Sequence, residues 1–289
     1  SMKTDLLRKI QEHMRDFSKS QKAIGSFILE HYDKAAYMTA ARLGEQVGVS
    51  ESTVVRLATE LGCNGYPGLQ QGLRELIRTK LTSIQRIEIT DARIGDDDVL
   101  TAVLDADIDR IRATCDSLNR DHFNNAVEKL LAARNIYIAG VRTSSALASF
   151  LYCNFCLIFE NVRLIGNTSG SEIFEHMLHI GAGDVLVVLS FPRYSKRMIN
   201  AVEYAKSRGA SILAITDSES APIASSADCL LTAKSDMVSF VDSLVAPLSV
   251  LNALIVAIAR QKKADLETSF GELENIWDQF EVYDKEHDT

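Results

Sequence analysis

The chain has 289 residues, of which 46% are hydrophobic and 24% are charged, with 15 Gly and 4 Pro. This composition is typical of a folded globular protein of about two domains, and it excludes a disordered, collagen-like or low-complexity chain. The net charge is −8, but it is unevenly distributed. Residues 1–80 carry 12 Lys and Arg against 9 Asp and Glu, whereas the rest of the chain carries 19 against 30. This asymmetry indicates that the first segment meets a polyanion and the second does not.

The cysteines and the apolar runs bear on where the protein acts. Its five cysteines form an odd, scattered set, which favours a reducing compartment over a disulfide framework. The charged N-terminus lacks the apolar segment of a signal peptide. The most apolar run, residues 244–259, is about one helical turn short of a membrane span and contains Pro247, Ser249 and Asn252. We therefore expect a cytoplasmic protein with no membrane partner.

Residues 1–80 have helical periodicity, and residues 38–57 have the spacing of a helix-turn-helix. Thr39 can cap the first helix, Gly44 is small enough for two helices to approach closely, and Gly48 can take the positive φ of a short turn. The second helix begins near Ser50, and its outward face predicts phosphate contacts and base-edge hydrogen bonds in a major groove. That face carries Ser50, Glu51, Ser52, Thr53 and Arg56.

An ordinary corner between two helices uses the same small residues and glycine turn, so the spacing alone leaves that alternative open. The positive balance of residues 1–80 favours DNA. We therefore interpret the segment as a helix-turn-helix, with operator DNA as its partner. The predicted DNA-binding residues are Thr39, Ser50, Glu51, Ser52, Thr53, Arg56 and Lys22.

Beyond this segment the hydrophobic pattern changes along the chain. Residues 64–68 are a cluster of helix breakers. Residues 79 to about 100 have little pattern, and the linker is predicted over 79–104. The rest alternates between helices and short apolar strands, which predicts a parallel five-stranded sheet flanked by helices. The predicted strands are 135–139, 162–165, 184–190, 211–216 and 228–232, and the predicted helices are 99–118, 122–133, 144–159, 171–180, 195–208 and 240–262.

Residues 49–76 are similar to the N-terminal domain of the RpiR/MurR family of bacterial transcription regulators. In that family a V-S-x-x-T-V-x-R helix is followed by L-G-[FY]-x-G-[FY]-x-x-[FL]. Cys63 departs from the pattern, because an aromatic residue usually stands there. The resemblance covers about residues 5–78 and implies an operator-binding domain. The matching residues are Val49, Ser50, Thr53, Val54, Arg56, Leu61, Gly62, Gly65, Tyr66 and Leu69.

Two serine-rich turns each follow a predicted strand and open a predicted helix. They span residues 140–145 and 190–195. Such turns offer amides and hydroxyls to an anion, and parallel strands bring their ends to one edge of the sheet, where open α/β folds bind ligands. These features resemble the sugar isomerase (SIS) domain, the usual C-terminal partner in RpiR-type regulators. The resemblance covers about residues 105–262 and implies a phosphorylated sugar as ligand.

The two turns also depart from the family pattern, which is commonly G-x-G-x-S for the first and S-x-S-G-x-T for the second. Arg142 and Arg193 stand where the family has glycine. Either arginine can pair with a phosphate or a carboxylate, which favours an effector with a second anionic group. Alternatively, both point to solvent or to a neighbouring subunit. The predicted effector-binding residues are Arg142, Thr143, Ser144, Ser145, Ser190, Arg193, Tyr194, Ser195 and Glu172.

Two other groups of residues have the composition of chemical sites. Cys153 and Cys156 form a CxxC inside an apolar helix without a second Cys pair or a nearby His, so we predict no metal or redox chemistry there. Glu172, His176 and His179 share one face of a predicted helix. They are the acid and base of an isomerase, hydrogen-bond partners of a sugar, or plain polar surface. We predict no metal and no cofactor.

Three functions fit these features. The first is a transcription regulator whose operator binding is controlled by a phosphorylated sugar or sugar acid. The second is an aldose–ketose phosphosugar isomerase that uses Glu172 or His176 as its base. The third is a module that only dimerises. The helix-turn-helix favours the first over the second, since an isomerase does not need one, and the paired turns count against the third.

A homodimer or homotetramer is expected, because two-fold pairing reads both halves of a palindromic operator. Residues 244–259 and the tail around Trp277 are the expected apolar surfaces for this pairing. We predict a non-catalytic protein. The predicted domains are a helix-turn-helix domain over 2–78, the linker 79–104, a SIS domain over 105–262 and a helical tail over 263–289.

Overall fold

The computed structural model describes residues 5–80, 82–95, 98–166 and 171–282. The chain divides into two compact units, Ser1–Ala92 and Arg93–Thr289. The first unit is helical over its described residues, and the second is built around a parallel sheet. The predicted fold class is therefore confirmed.

Three helices of the first unit begin at a serine or threonine cap, and the caps of α3 and α4 are the predicted ones. The side chains of Ser18, Thr39 and Ser50 each accept a hydrogen bond from the backbone amide three residues further on. The helices up to residue 95 are α1 (Asp5–His13), α2 (Lys19–Ala35), α3 (Ala40–Val47), α4 (Glu51–Glu60), α5 (Gly65–Lys80) and α6 (Ser83–Ile94).

A break separates α4 from α5, but it lies over residues 61–64 and not over the predicted cluster 64–68, because α5 begins at Gly65 and includes Pro67. Proline is tolerated there, because the amides of the first helical turn have no acceptor within the helix. Proline, which has no amide proton, therefore removes no helical hydrogen bond at this position. The predicted linker 79–104 contains α6, and the division between the two units falls within it.

The second unit contains a five-stranded sheet in which every pairing is parallel. Its strands are β1 (Ile136–Gly140), β2 (Val162–Ile165), β3 (Val185–Leu189), β4 (Ser211–Thr216) and β5 (Cys229–Thr232). They lie in the order β2-β1-β3-β4-β5. All five predicted strands are present, and β2 and β4 have the predicted bounds.

Helices cover both faces of this sheet. They are α7 (Val99–Ser117), α8 (Arg120–Leu131), α9 (Ser144–Phe155), α10 (Glu172–His176), α11 (Lys196–Ser207), α12 (Val245–Gln261) and α13 (Lys263–Gln279). Alternate strand residues enter two cores: Ile136 and Ile138 pack with α8, α9 and α12, whereas Tyr137 and Ala139 pack with α10 and α11. The strands are therefore buried on both faces, as their apolar runs predict.

Three predicted helices are shorter in the structure. The helices predicted over 144–159 and 171–180 end at Phe155 and His176, because several of the following amides bond to the carbonyl three residues back and tighten the chain into turns. The helix predicted over 240–262 begins only at Val245. The amide of Ser243 donates to the carbonyl of Asp236, which closes a chain reversal where the helix was expected to start.

The apolar helix α12 lies largely inside the second unit. Its side chains Val250, Leu251, Leu254 and Ile258 belong to the core between the sheet and α9. Most of the surface that residues 244–259 were expected to offer to a partner subunit is therefore used within the chain. Among the described residues no single helix is long and apolar enough to span a membrane. Helices α12 and α13 reach that length and hydropathy only when they are taken together, and the chain bends by 97° between them.

Candidate functional site

The helix-turn-helix of the first unit depends on two glycines. A Cβ at Gly44 would lie 2.7 Å from the carbonyl oxygen of Val49, so only glycine allows α3 to pass this close to the start of α4. Gly48 ends α3 with a φ of 74°. Val54 and Leu57 are fully buried and hold α4 against the other helices. The predicted roles of the two glycines are therefore confirmed.

The outward face of α4 begins with three hydroxyls. Ser50 Oγ lies 3.0 Å from Ser52 Oγ and 2.8 Å from Thr53 Oγ1, and it accepts the amide of Thr53. Glu51 is exposed in the first turn, and Arg56 is exposed one and a half turns further along. A helix N-terminus with short hydroxyls and one long cation can donate both to phosphates and to base edges.

Lys22 lies apart from this cluster. Its neighbour Gln21 donates through Nε2 to the carboxylate of Glu60, the last residue of α4. Because α4 has 10 residues, its two ends are about 15 Å apart. Lys22 is therefore near the far end of α4.

Arg42 is an exposed basic residue in the first turn of α3, where its amide donates to Thr39 Oγ1. The sequence analysis did not include it among the DNA-binding residues. Its place three residues after the predicted cap Thr39 was the signal that could have identified it.

Three side chains of α5 hold the loop that leads into α3. Tyr66 Oη and Gln70 Nε2 donate to the carbonyl of Met38 at 2.7 and 2.9 Å, and Arg74 Nε donates to the carbonyl of Ala36 at 3.0 Å. These donors occupy one face of α5, at spacings of four residues. Burial raises the pKa of Tyr66 to about 12, although the nearby charge of Arg74 opposes the shift.

The two serine-rich turns of the second unit meet at one edge of the sheet. Strands β1 and β3 are neighbours, and Gly140 pairs with Leu189, so the turns that follow them begin side by side. A Cβ at Gly140 would lie 2.6 Å from the carbonyl oxygen of Ser144, which explains a glycine at the end of β1. The predicted juxtaposition of these two turns is present at the carboxyl edge.

Both arginines that replace family glycines keep the glycine conformation. Arg142 has a φ of 57° and Arg193 a φ of 66°, and both side chains are exposed. Left-handed backbone is unfavourable for residues with a Cβ and is concentrated at functional sites. Both turns therefore have a backbone conformation that favours glycine, and each carries a cation there.

The remaining predicted residues surround these arginines. Ser144 and Ser190 are buried, and Ser195 caps α11 by accepting the amide of Arg197. Ser145 Oγ donates to the carbonyl of Arg142 at 2.5 Å. Within the described chain, Thr143 precedes α9 without capping it through its side chain. Each turn therefore combines an arginine with serine residues and the start of a helix.

A buried acid at the end of β4 was missed by the sequence reasoning. Tyr194 Oη donates to Asp217 Oδ1 at 2.6 Å, and Thr216 Oγ1 donates to the carbonyl of Ser190 at 2.6 Å. Asp217 is only 2% exposed. The sequence signal that could have identified Asp217 is its position directly after the predicted strand 211–216, whose end lies at the same edge of the sheet as the two turns.

Family comparison assigns both units. Residues 4–80 match the helix-turn-helix domain of the rpiR family, and residues 129–257 match the SIS domain. The two matches together cover well over half of the chain. The chain belongs to the RpiR family. It is a transcription regulator composed of a helix-turn-helix domain and a SIS domain.

Relatives of this RpiR-family protein extend over most of its length. The transcriptional regulator HexR of Pseudomonas aeruginosa is 24% identical over 270 residues, which cover 91% of this chain and 92% of HexR. The structure of NanR of Vibrio vulnificus complexed with ManNAc-6P has a TM-score of 0.60 at 20% identity, covering 95% of this chain and 98% of NanR. The sugar isomerase domain of an RpiR transcription factor from Sphaerobacter thermophilus has a TM-score of 0.58 at 24% identity, covering 61% and 97%. The two structures share the fold.

The candidate acid and base residues of this RpiR-family chain lie on or beside the short helix α10. Ile173 and Met177 face the core, while Glu172, His176 and His179 are exposed. Cys153 and Cys156 are exposed near the end of α9. Among the described residues, no three His, Cys, Asp or Glu side chains are grouped so as to hold a metal ion.

Proposed function

We propose that this RpiR-family regulator binds a phosphorylated sugar or sugar acid at the carboxyl edge of its sheet, and that the bound effector controls operator binding. The observation that carries this proposal is the pair of left-handed arginines in neighbouring turns. Strained backbone is retained where the neighbouring structure or the function requires it. NanR, which has the same fold over nearly its whole length, was solved with a sugar phosphate.

The charges of the two turns argue for a dianionic effector. The start of α9 at Ser144 and the start of α11 at Ser195 suit a phosphate, as helix N-termini generally do, whereas Ser145 gives its amide and hydroxyl protons to the carbonyl of Arg142 and shapes the turn. Arg142 and Arg193 add two planar donors, which pair well with a carboxylate. A sugar that carries both groups uses more of these donors than a neutral sugar with one phosphate. Thr143, Ser190, Tyr194 and Glu172 complete the proposed effector site.

Operator contact is assigned to the N-terminal end of α4. Ser50, Ser52 and Thr53 form the hydroxyl cluster, and Arg56 extends behind them. Glu51 accompanies them as a possible acceptor for a cytosine amino group. Thr39 and Arg42, at the start of α3, are placed to contact the phosphate backbone. Lys22 stands near the opposite end of α4, so we assign it at most a backbone contact.

We propose that the protein is not an enzyme. The isomerase alternative requires Glu172 or His176 to take a proton from a bound sugar. Both lie on a helix of five residues and are exposed to solvent, whereas a tuned base is usually partly enclosed. A ligand-controlled regulator requires both units, whereas an isomerase does not require a helix-turn-helix.

A symmetric oligomer is proposed, with α7 as its principal surface. Leu100, Leu104, Ile108 and Ile111 are 67, 53, 45 and 38% exposed and repeat every three or four residues, so they form one stripe. A groove of about 530 Å³ between α7, α8 and α12 continues this apolar surface. Contiguous exposed apolar surface of this kind marks interaction sites.

The effector hypothesis is tested by titrating the protein on its operator, selected from random DNA, with glucose 6-phosphate, 6-phosphogluconate and unphosphorylated gluconate. We expect the phosphorylated ligands to change operator affinity and 6-phosphogluconate to act at lower concentration. No response to any phosphorylated sugar or sugar acid, in a panel extended to amino sugars, would reject the proposal. Production of an isomerised sugar phosphate would favour the enzyme instead.

A further inference from the structure

The turn between β3 and α11 is fastened to the end of β4 at two points. Thr216 Oγ1 donates to the carbonyl of Ser190 where the turn begins, and Tyr194 Oη donates to Asp217 Oδ1 near its end. Thr216 and Asp217 are buried, with 0 and 2% exposure. Two consecutive residues of one strand end therefore fix both sides of a neighbouring turn.

Arg193 lies between these two attachments. It is exposed, it follows the buried Pro192, and its backbone is left-handed with a φ of 66°. A non-glycine residue stays in this conformation only when its neighbours leave it no alternative. The hydrogen bonds of Thr216 and Tyr194 supply this restraint, since releasing either would let the turn relax toward ordinary backbone angles.

Asp217 is an unexpected residue beside a turn that is built for anions. Its negative charge opposes a phosphate or carboxylate, so direct contact with an anionic effector is unfavourable. Its Oδ1 instead receives Tyr194 Oη and lies 3.2 Å from Thr216 Oγ1. The contacts of Asp217 are therefore those of a group that holds the turn.

The bond to Asp217 also fixes the polarity of Tyr194. A phenol has one proton, and here it is donated to the carboxylate, so Tyr194 has no proton left to offer an anion. In this turn the donor for an anion is therefore the neighbouring guanidinium of Arg193 and not the phenol.

We propose that Tyr194 and Asp217 are positioning residues for Arg193. Through this contact they give the effector site its selectivity for a second anion. The selectivity part of this inference rests on the proposed function, because it requires an anionic effector. The restraint on Arg193 does not require a ligand. The two parts can therefore be measured separately.

The first measurement uses no ligand. Trypsin cleaves after arginine, and a turn held in a left-handed conformation is a poor substrate until it opens locally. We expect Tyr194→Phe, which removes only the hydroxyl, to raise the cleavage rate after Arg193 by at least about threefold relative to cleavage after the distant exposed Arg112. Asp217→Asn keeps an acceptor for Tyr194 and should leave this ratio near that of the wild type. An unchanged ratio in Tyr194→Phe would overturn the proposal.

The second measurement compares affinities by calorimetry for 6-phosphogluconate, glucose 6-phosphate and inorganic phosphate. We expect the wild type to prefer the acid by about tenfold or more, and Tyr194→Phe to lose most of that preference because its affinity for 6-phosphogluconate falls more than its affinity for the other two ligands. Asp217→Asn should retain the preference. Equal weakening of all three ligands would indicate a merely structural role and would also overturn the proposal. If the wild type binds none of them, the proposed effector class is wrong, and the cleavage ratio decides the positioning role.

Discussion

Arg142 and Arg193 have the same left-handed backbone conformation in turns that follow adjacent parallel strands. The φ values of 57° and 66° are those that the family pattern reserves for glycine. A Cβ in this conformation costs about 1–2 kcal/mol. At both positions the chain therefore keeps a side chain against the preference of its own backbone.

Replacing Arg142 by glycine should reveal this cost. We expect Arg142→Gly to be more stable than Arg142→Ala by about 0.5–1 kcal/mol, because glycine has no Cβ to strain but loses more entropy on folding. Urea denaturation followed by circular dichroism measures the difference. At Arg112, inside α7, the order should reverse, since glycine is about 1 kcal/mol worse than alanine in a helix. Alanine exceeding glycine at both sites would contradict the left-handed assignment.

Arg56 should contribute to operator recognition. Arg56→Ala is expected to weaken specific operator binding by about 1–3 kcal/mol, because the exposed guanidinium lies on the outward face of α4 and packs in no core. An electrophoretic mobility assay measures the loss, and circular dichroism checks the fold. Arg163→Ala, at an exposed arginine on the edge strand β2 of the other unit, is the matched control. Unchanged affinity in Arg56→Ala would remove this residue from the reading surface.

The stripe on α7 should determine the oligomeric state. We expect the wild type to be at least a dimer, and Leu104→Asp to weaken association by about 2 kcal/mol or more, because a charge would be placed in the centre of an apolar contact. Light scattering at micromolar concentration measures the mass. Leu178→Asp, at a side chain 57% exposed outside the stripe, is the control and should not change it. A monomeric wild type would refute the oligomer, and an unchanged mass in Leu104→Asp would move the interface elsewhere.

Tyr66 should make the first unit sensitive to alkali. Burial raises its pKa from 10.0 to about 12, so the folded state holds this proton more tightly than the unfolded state. The contribution is fully present below pH 10 and is lost as the pH rises toward 12. Urea midpoints between pH 9 and about 11.5 should therefore fall more steeply for the wild type than for Tyr66→Phe. Parallel slopes would show that Tyr66 does not titrate as its burial implies.

The sheet was predictable because each strand is a short apolar run bounded by polar or turn residues. Strands β2 and β4 have the predicted bounds, and the central pair was expected to bring two serine-rich turns together. The helix caps at Thr39 and Ser50 were also predictable, because a hydroxyl residue just before an apolar run of helical periodicity usually accepts a backbone amide at the start of that helix.

The parts that could not be predicted depend on contacts distant in sequence. Tyr194 and Asp217 are 23 residues apart, and nothing in either segment alone indicates that a phenol and a carboxylate meet. The start of α5 at Gly65 was missed because a proline in the first helical turn has the same local composition as a helix breaker. The early end of α10 depends on turns that close after His176.

The position of Trp277 determines what intrinsic fluorescence can report. It is the chain's one tryptophan, and it lies in α13, outside both the helix-turn-helix and the carboxyl edge of the sheet. Its emission therefore reports on the second unit, whereas circular dichroism also includes the helices of the first unit. Two denaturation curves recorded on one sample by these signals will coincide if the units melt together and separate if each melts by itself.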